Sequence, residues 1–193
     1  MIFLVENCFH WLGFHIINRL LDNGYQVDGM DDLDTDKKEH LSMFVGRNEL
    51  FRHITSRERN TDYDISIQVD ECKLVLEKEH PITIKLPLIF GEWMPMNQKG
   101  LYVQNEFMRF DSKQFLTNAV YVKDVLESLQ QLIDSSDLPR VLEVRSCYSR
   151  PMNHKKLENS IYIRNNRPIQ ERISIVKKHY EKYENFYTRF NRQ

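Results

Sequence analysis

Side chains able to do chemistry gather at three places in this sequence. Cys8, His10 and His15 stand together near the start, Asp31, Asp32, Asp34 and Asp36 form an acidic cluster, and Tyr63 precedes Ser66 and Glu71. Histidine, cysteine and carboxylate groups ligate metals, but a zinc site needs them at fixed spacing. Cys8, Cys72 and Cys147 form neither a CxxC pair nor a Cys/His ligand set, so no metal site is expected. The sequence has no G-x-S-x-G elbow, Walker loop or HExxH helix, which removes the usual motif support for hydrolase or nucleoside triphosphatase chemistry. Tyr63 carries a titratable phenol. An unaided phenol titrates near about 10, so holding it ionised at neutral pH costs roughly 4 kcal/mol, and base chemistry there requires a neighbouring cation.

Elements must position these groups. The apolar run Ile2 to Val5 predicts a buried parallel strand, and Leu12, Ile16, Ile17, Leu20 and Leu21 then recur at helical spacing until Asn23 and Gly24 stop them. Gln26 to Met30 predicts a second strand ending in the acidic cluster, Lys37 to Val45 a second helix, and Phe51 to Ile54 a third strand. This β-α-β-α-β opening predicts an α/β fold, a doubly wound and mainly parallel sheet. After the polar stretch Arg57 to Asp62, the spacing of Ile65, Val69, Cys72 and Leu76 predicts a helix from about Asp64 to Glu77. Ile82 to Leu86, between Pro81 and Pro87, predicts a strand, followed by an irregular loop over Phe90 to Pro95. Val122 to Ile133 predicts another helix and Val141 to Val144 a last strand. The final helix carries a single apolar seam, Ile173, Val176, Tyr180, Tyr183, Tyr187 and Phe190, which must pack either on its own domain or against a second subunit.

With 193 residues, 41% of them hydrophobic, the chain can bury a real core. No run approaches the roughly 20 apolar residues of a membrane span, the start lacks the basic flank of a signal peptide, and three scattered cysteines suit a reducing cytoplasm. The net charge of −1 hides an asymmetry. Residues 1–144 hold 15 Lys/Arg against 24 Asp/Glu, and residues 145–193 hold 12 against 4. An acidic body thus carries a basic tail, which either pairs with that body or meets an acidic partner. The tail interleaves tyrosines with Arg and Lys, as nucleic-acid binders do, but its regular seam favours packing.

The spacing along residues 1–145 resembles the extended short-chain dehydrogenase/reductase family, the NAD-dependent epimerases and dehydratases of nucleotide sugars. That family's first strand runs into TGxxGFIG, and its second ends in an acid after a Gly-Tyr turn. Here the same register reads Glu6-Asn7-Cys8-Phe9-His10-Trp11-Leu12-Gly13, then Gly24-Tyr25, then Gly29-Met30-Asp31-Asp32-Leu33. Of the three glycines only Gly13, the packing one, is kept. Asn7 and His10 replace the turn glycine and the glycine that admits the pyrophosphate. The resemblance makes Gly13, Asp31 and Asp32 the cofactor-side residues. Tyr63-Asp64-Ile65-Ser66-Ile67 is similar to the family's YxxSK helix, which makes Tyr63 a vestigial catalytic residue with Ile67 at the lysine position. Ile84 to Trp93 is similar to LRLPxVYGPW, implying substrate contacts at Phe90, Gly91 and Trp93, and Tyr121-Val122-Lys123-Asp124-Val125 resembles YVDDV.

The same resemblance implies an internal deletion near residues 55–63. A complete member has a further strand, helix and strand before the tyrosine helix, the last strand bearing the catalytic Ser or Thr, so Ile82 to Leu86 is expected beside Ile2 to Val5. Residues 1–145 are then a Rossmann-like domain, and residues 146–193 a remnant of the substrate region plus the basic helix. Ala119 is the only alanine, a strange composition for a dinucleotide-binding domain. The leading expectation is a catalytically degenerate relative acting by binding or assembly, without a cofactor, or with NAD(P) if one is used. Its oligomer would form through the seam at Ile173 to Phe190. The alternatives are a nucleotide or nucleotide-sugar sensor using Asp31, Tyr63 and the Phe90 to Trp93 loop, and an active epimerase or dehydratase in which Lys85 or Lys123 replaces the missing lysine.

Overall fold

Alternation and helical periodicity place the elements of the first half. The computed structural model describes residues 1–59, 62–135, 137–149 and 159–187. The chain divides into two units, Met1–Ile84 and Lys85–Gln193. In the first, β1 (Ile2–Glu6), α1 (Trp11–Asp22), β2 (Gln26–Met30), α2 (Asp36–Val45) and β3 (Phe51–Ile54) follow the predicted β-α-β-α-β order. The unit continues with β4 (Ile65–Val69), β5 (Lys73–Glu77) and β6 (Pro81–Lys85). Phe3 of β1 lies opposite Val27 of β2 and Ile65 of β4, both parallel, and β2 pairs parallel with β3. The strand order, β6-β5-β4-β1-β2-β3, is that of a doubly wound sheet, with its switch point between β1 and β4. The fold class is therefore α/β, Rossmann-like and mainly parallel. The α1 face of Leu12, Ile16, Ile17 and Leu20 is buried, and Gly24, at φ +78°, turns the chain into β2. Thr35 caps α2, its side chain accepting the Lys38 N–H at 3.2 Å.

Two expectations are corrected here. The helix over residues 64–77 does not form: β4 and β5 occupy that stretch as antiparallel partners, with Ile67 opposite Leu76. The helical spacing of Ile65, Val69, Cys72 and Leu76 comes from two alternating runs, Ile65/Ile67/Val69 and Leu74/Leu76, whose members are buried, while Cys72 is exposed in the turn between them. β-Branched residues at every second position favour the pleated alternative. Ile82 to Leu86 also does not close up beside β1. β4 takes that place, because ten residues after β3 are enough to carry the chain back to the free side of β1.

The second unit contains β7 (Ile89–Phe90), β8 (Met96–Asn97), β9 (Gly100–Val103), β10 (Glu106–Arg109), α3 (Lys113–Asn118) and β11 (Val120–Tyr121). It continues through α4 (Val122–Ile133), β12 (Val141–Ser146), β13 (Ser160–Ile163) and α5 (Ile169–Lys182). β7 pairs parallel with β11 and β12 parallel with β13, while β8, β9 and β10 form an antiparallel meander. The seam of α5 packs on its own unit, with Val176, Tyr180 and Tyr187 buried and Ile173 and Tyr183 half-buried. Phe190 and residues 151–158, the first part of the stretch ahead of α5, lie outside the described residues. No described helix is long and apolar enough to cross a membrane.

Candidate functional site

In open α/β sheets, ligands enter at the carboxyl ends of the strands flanking the switch point. Here those ends carry Glu6, Asn7, Gln68 and Val69, with Asp31 beyond β2. Asn7 adopts the left-handed region at φ +55°, as an asparagine can, and its Nδ2 donates to the Val69 carbonyl at 2.9 Å. That bond joins the end of β1 to the end of β4. Glu6 is paired with Arg59 at 3.1 Å.

The loop from β1 to α1 is folded onto itself. The Cys8 N–H donates to the Met30 carbonyl at 3.4 Å, the Phe9 N–H to Asp31 Oδ2 at 2.9 Å, and the His10 N–H to the Asn7 carbonyl at 3.0 Å. Asp31 is 6% exposed at its side chain; Oδ1 accepts the Asp32 N–H and pairs with Lys38 Nζ, each at 2.8 Å. Gly13 stands where α1 crosses this loop: a Cβ there would run into the Asn7 carbonyl oxygen and come within 3.1 Å of Cys8 Cα. The kept glycine therefore serves close packing. Cys8 and Phe9 are buried beneath the loop, and burial pushes the Cys8 thiol well above its ordinary range. Burial, aided by the charge of Lys37, lowers the His10 imidazole to about 4, against an opposing pull from Asp31 and Asp70. His10 is thus a neutral ring at the start of α1, which has no side-chain cap. Asp32 is exposed.

Tyr63 precedes β4 instead of standing on a helix, and its hydroxyl donates to Asp28 Oδ2 at 2.7 Å. Arg52 holds the same carboxylate in bidentate fashion, Nε donating to Oδ1 at 3.0 Å and Nη2 to Oδ2, the oxygen that Tyr63 also meets. Burial raises the Asp28 pKa, but the Arg52 and Tyr63 hydrogen bonds outweigh it and leave the group below the ordinary carboxylate range. Ile67, at the expected lysine position, is a fully buried strand residue.

The expected substrate residues lie in the second unit, inside its packing. Phe90 is fully buried between Phe115 and Tyr121, Gly91 donates its N–H to the Met94 sulfur, and Trp93 is 4% exposed. Trp93 holds φ +67°, donates its N–H to the Tyr187 hydroxyl at 2.7 Å, and meets the rings of His179, Tyr183 and Tyr187.

Sequence reasoning missed a polar group beside them. The Tyr121 hydroxyl donates to Glu92 at 2.8 Å, the Arg172 guanidinium lies 4.2 Å from the centre of the Tyr121 ring, and Arg172 pairs with buried Asp124 at 3.1 Å. Burial, then the Glu92 charge, keeps the Tyr121 phenol protonated far above neutral pH. The group ties α5 to α4. Its sequence signals were the run from Tyr121 to Val125, whose Asp124 stands in the first turn of α4, and an arginine off the apolar seam.

No protein-family model matches the sequence. No curated protein sequence matches it. Among solved structures, the UDP-glucose 4-epimerase of the hyperthermophilic eubacterium Thermotoga maritima, determined with UDP-glucose, is similar: 12% identity, covering 94% of this chain and 99% of that chain, with a TM-score of 0.49. A likeness at that level assigns no role to any residue of this chain.

Proposed function

We propose that this chain is a catalytically degenerate relative of the NAD-dependent nucleotide-sugar epimerases and dehydratases, working by binding or assembly instead of turnover. One observation carries the reading: the amides of Cys8, Phe9 and His10 in the β1–α1 loop donate to the protein's own acceptors, and one of those acceptors is a carboxylate. A dinucleotide corner needs the reverse, with loop amides and a helix N-terminus turned towards a pyrophosphate. The residues here do not fit that group. Asp31 already supplies the loop with an anion, with Lys38 as its counterion, and the His10 ring stands where bare backbone would meet phosphate. Proton-transfer chemistry lacks its parts as well. Tyr63 donates its proton towards Asp28, and the side chain at the expected lysine position is apolar and inside the sheet.

Calorimetric titration of the full chain with NAD, NADH and UDP-glucose tests this. The expected result is no saturable heat with NAD or NADH and no NAD-linked turnover of a UDP- or dTDP-sugar. Micromolar NAD binding, or any such turnover, would overturn the reading.

A further inference from the structure

The second unit contains an open cavity of about 630 Å³, lined by Leu116 of α3, Tyr148 after β12, and the segment from Arg164 to Gln170 that leads into α5. Its size falls in the range of roughly 300–1,000 Å³ typical of small-molecule sites. Two features set its chemistry. Among the described residues, the lining includes two arginines, Arg164 and Arg167, and no Asp or Glu, and no acid pairs with either arginine. The acids nearby are engaged elsewhere, Asp124 with Arg172 and Glu127 with the Asn166 side-chain amide at 2.9 Å. The apolar part of the wall is also open to water, with Tyr148 57% and Leu116 38% exposed.

This wall is held in place. Asn165 donates to the Ala119 carbonyl and accepts the Tyr121 N–H, each at 3.2 Å, and the Asn166 N–H donates to Asp124 at 3.2 Å. Both arginines therefore project from a segment anchored to the start of α4. Across the cavity, Ser146 Oγ donates to the Thr117 carbonyl and accepts the Tyr148 N–H, which fixes the turn bearing the Tyr148 ring to α3, where Leu116 lies.

We propose that this cavity binds a small phosphomonoester with a planar ring, the phosphate held by Arg164 and Arg167 and the ring resting on Tyr148 and Leu116. A phosphomonoester near neutral pH carries about −1.5 to −2 charge, which matches two guanidiniums better than a monocarboxylate does. Guanidinium forks also pair with phosphate oxygens in bidentate fashion. The proposal is independent of the corner at β1 and α1, and it stands whether or not that corner binds NAD.

The test is calorimetry on the full chain with AMP, adenosine and inorganic phosphate as probes. AMP is expected to bind saturably, and roughly tenfold or more tightly than either adenosine or inorganic phosphate, since each lacks one half of the contact. The double variant Arg164→Gln/Arg167→Gln is expected to weaken AMP by about tenfold or more while leaving the thermal midpoint unchanged. Tyr148→Ala should weaken AMP and leave inorganic phosphate as it was. AMP failing to bind, or binding with the same affinity in the arginine variant, would overturn the proposal. Loss of AMP binding in Asp31→Ala with none in the arginine variant would also overturn it, since that result places the nucleotide in the first unit.

Discussion

At the scale of single residues, burial decides what His10 and Asp31 can do. The His10 imidazole falls from 6.5 to about 4, chiefly by desolvation, with Lys37 and Lys38 of α2 pushing the same way and Asp31 and Asp70 opposing. Between those two pH values the unfolded chain binds a proton that the native chain does not. The neutral ring's contribution is therefore complete above about pH 6.5 and is lost as the pH falls towards 4, by at most about 3 kcal/mol. Urea denaturation across this window should show stability rising with pH, and His10→Gln should flatten that slope. Asp31→Ala removes the acceptor of the Phe9 N–H and leaves Lys38 without its partly buried partner. The expected loss is about 2 kcal/mol in the same measurement. Tyr63→Phe removes one of the bonds holding the Asp28 carboxyl low, so that pKa should rise in an NMR titration, with a loss of about 1 kcal/mol.

At the scale of elements, contact distance overrides propensity. Alanine is better than glycine inside a helix by roughly 1 kcal/mol, yet Gly13→Ala would drive a methyl group into the Asn7 carbonyl where α1 crosses the β1 loop. Backbone atoms cannot give way there, so a net loss of about 2–3 kcal/mol is expected in chemical denaturation. The α5 seam makes the same point about partners. Val176 is 0% exposed and Tyr187 accepts the Trp93 N–H, so the stripe that could have met a second subunit is largely used inside its own unit. Val176→Asp would place an unpaired carboxylate in that core. It should cost about 4 kcal/mol or more, seen as collapse of the near-ultraviolet signal of the Trp93 cluster.

At the scale of the whole molecule, binding is read through stability. A ligand present at a hundred times its dissociation constant adds about 2.7 kcal/mol, which for a chain of this size is a rise of roughly 5–10 °C in the melting midpoint. NAD at about 1 mM should leave the midpoint unmoved, and a rise of that size would reveal a site near 10 μM that the β1–α1 corner is not built to provide. Local pattern by itself determined much of the molecule. The elements β1, α1, β2, α2, β3 and α4 were legible, β1 and β2 as short runs buried on both faces, α1 and α4 as helices burying one face whose period is written in neighbouring residues. Gly13 was likewise legible as a packing glycine. The sequence could not distinguish a helix from a hairpin over residues 64–77, where a spacing of four suits both, and only the pairing of Phe3 with Ile65 settled it. Nor could it tell that the Asp31 carboxylate turns inward onto the Phe9 amide, that Trp93 lies under α5, or that Arg164 and Arg167 share a cavity with Tyr148. Those outcomes depend on groups far apart in the chain, and tertiary packing alone decides which of several possible partners each one meets.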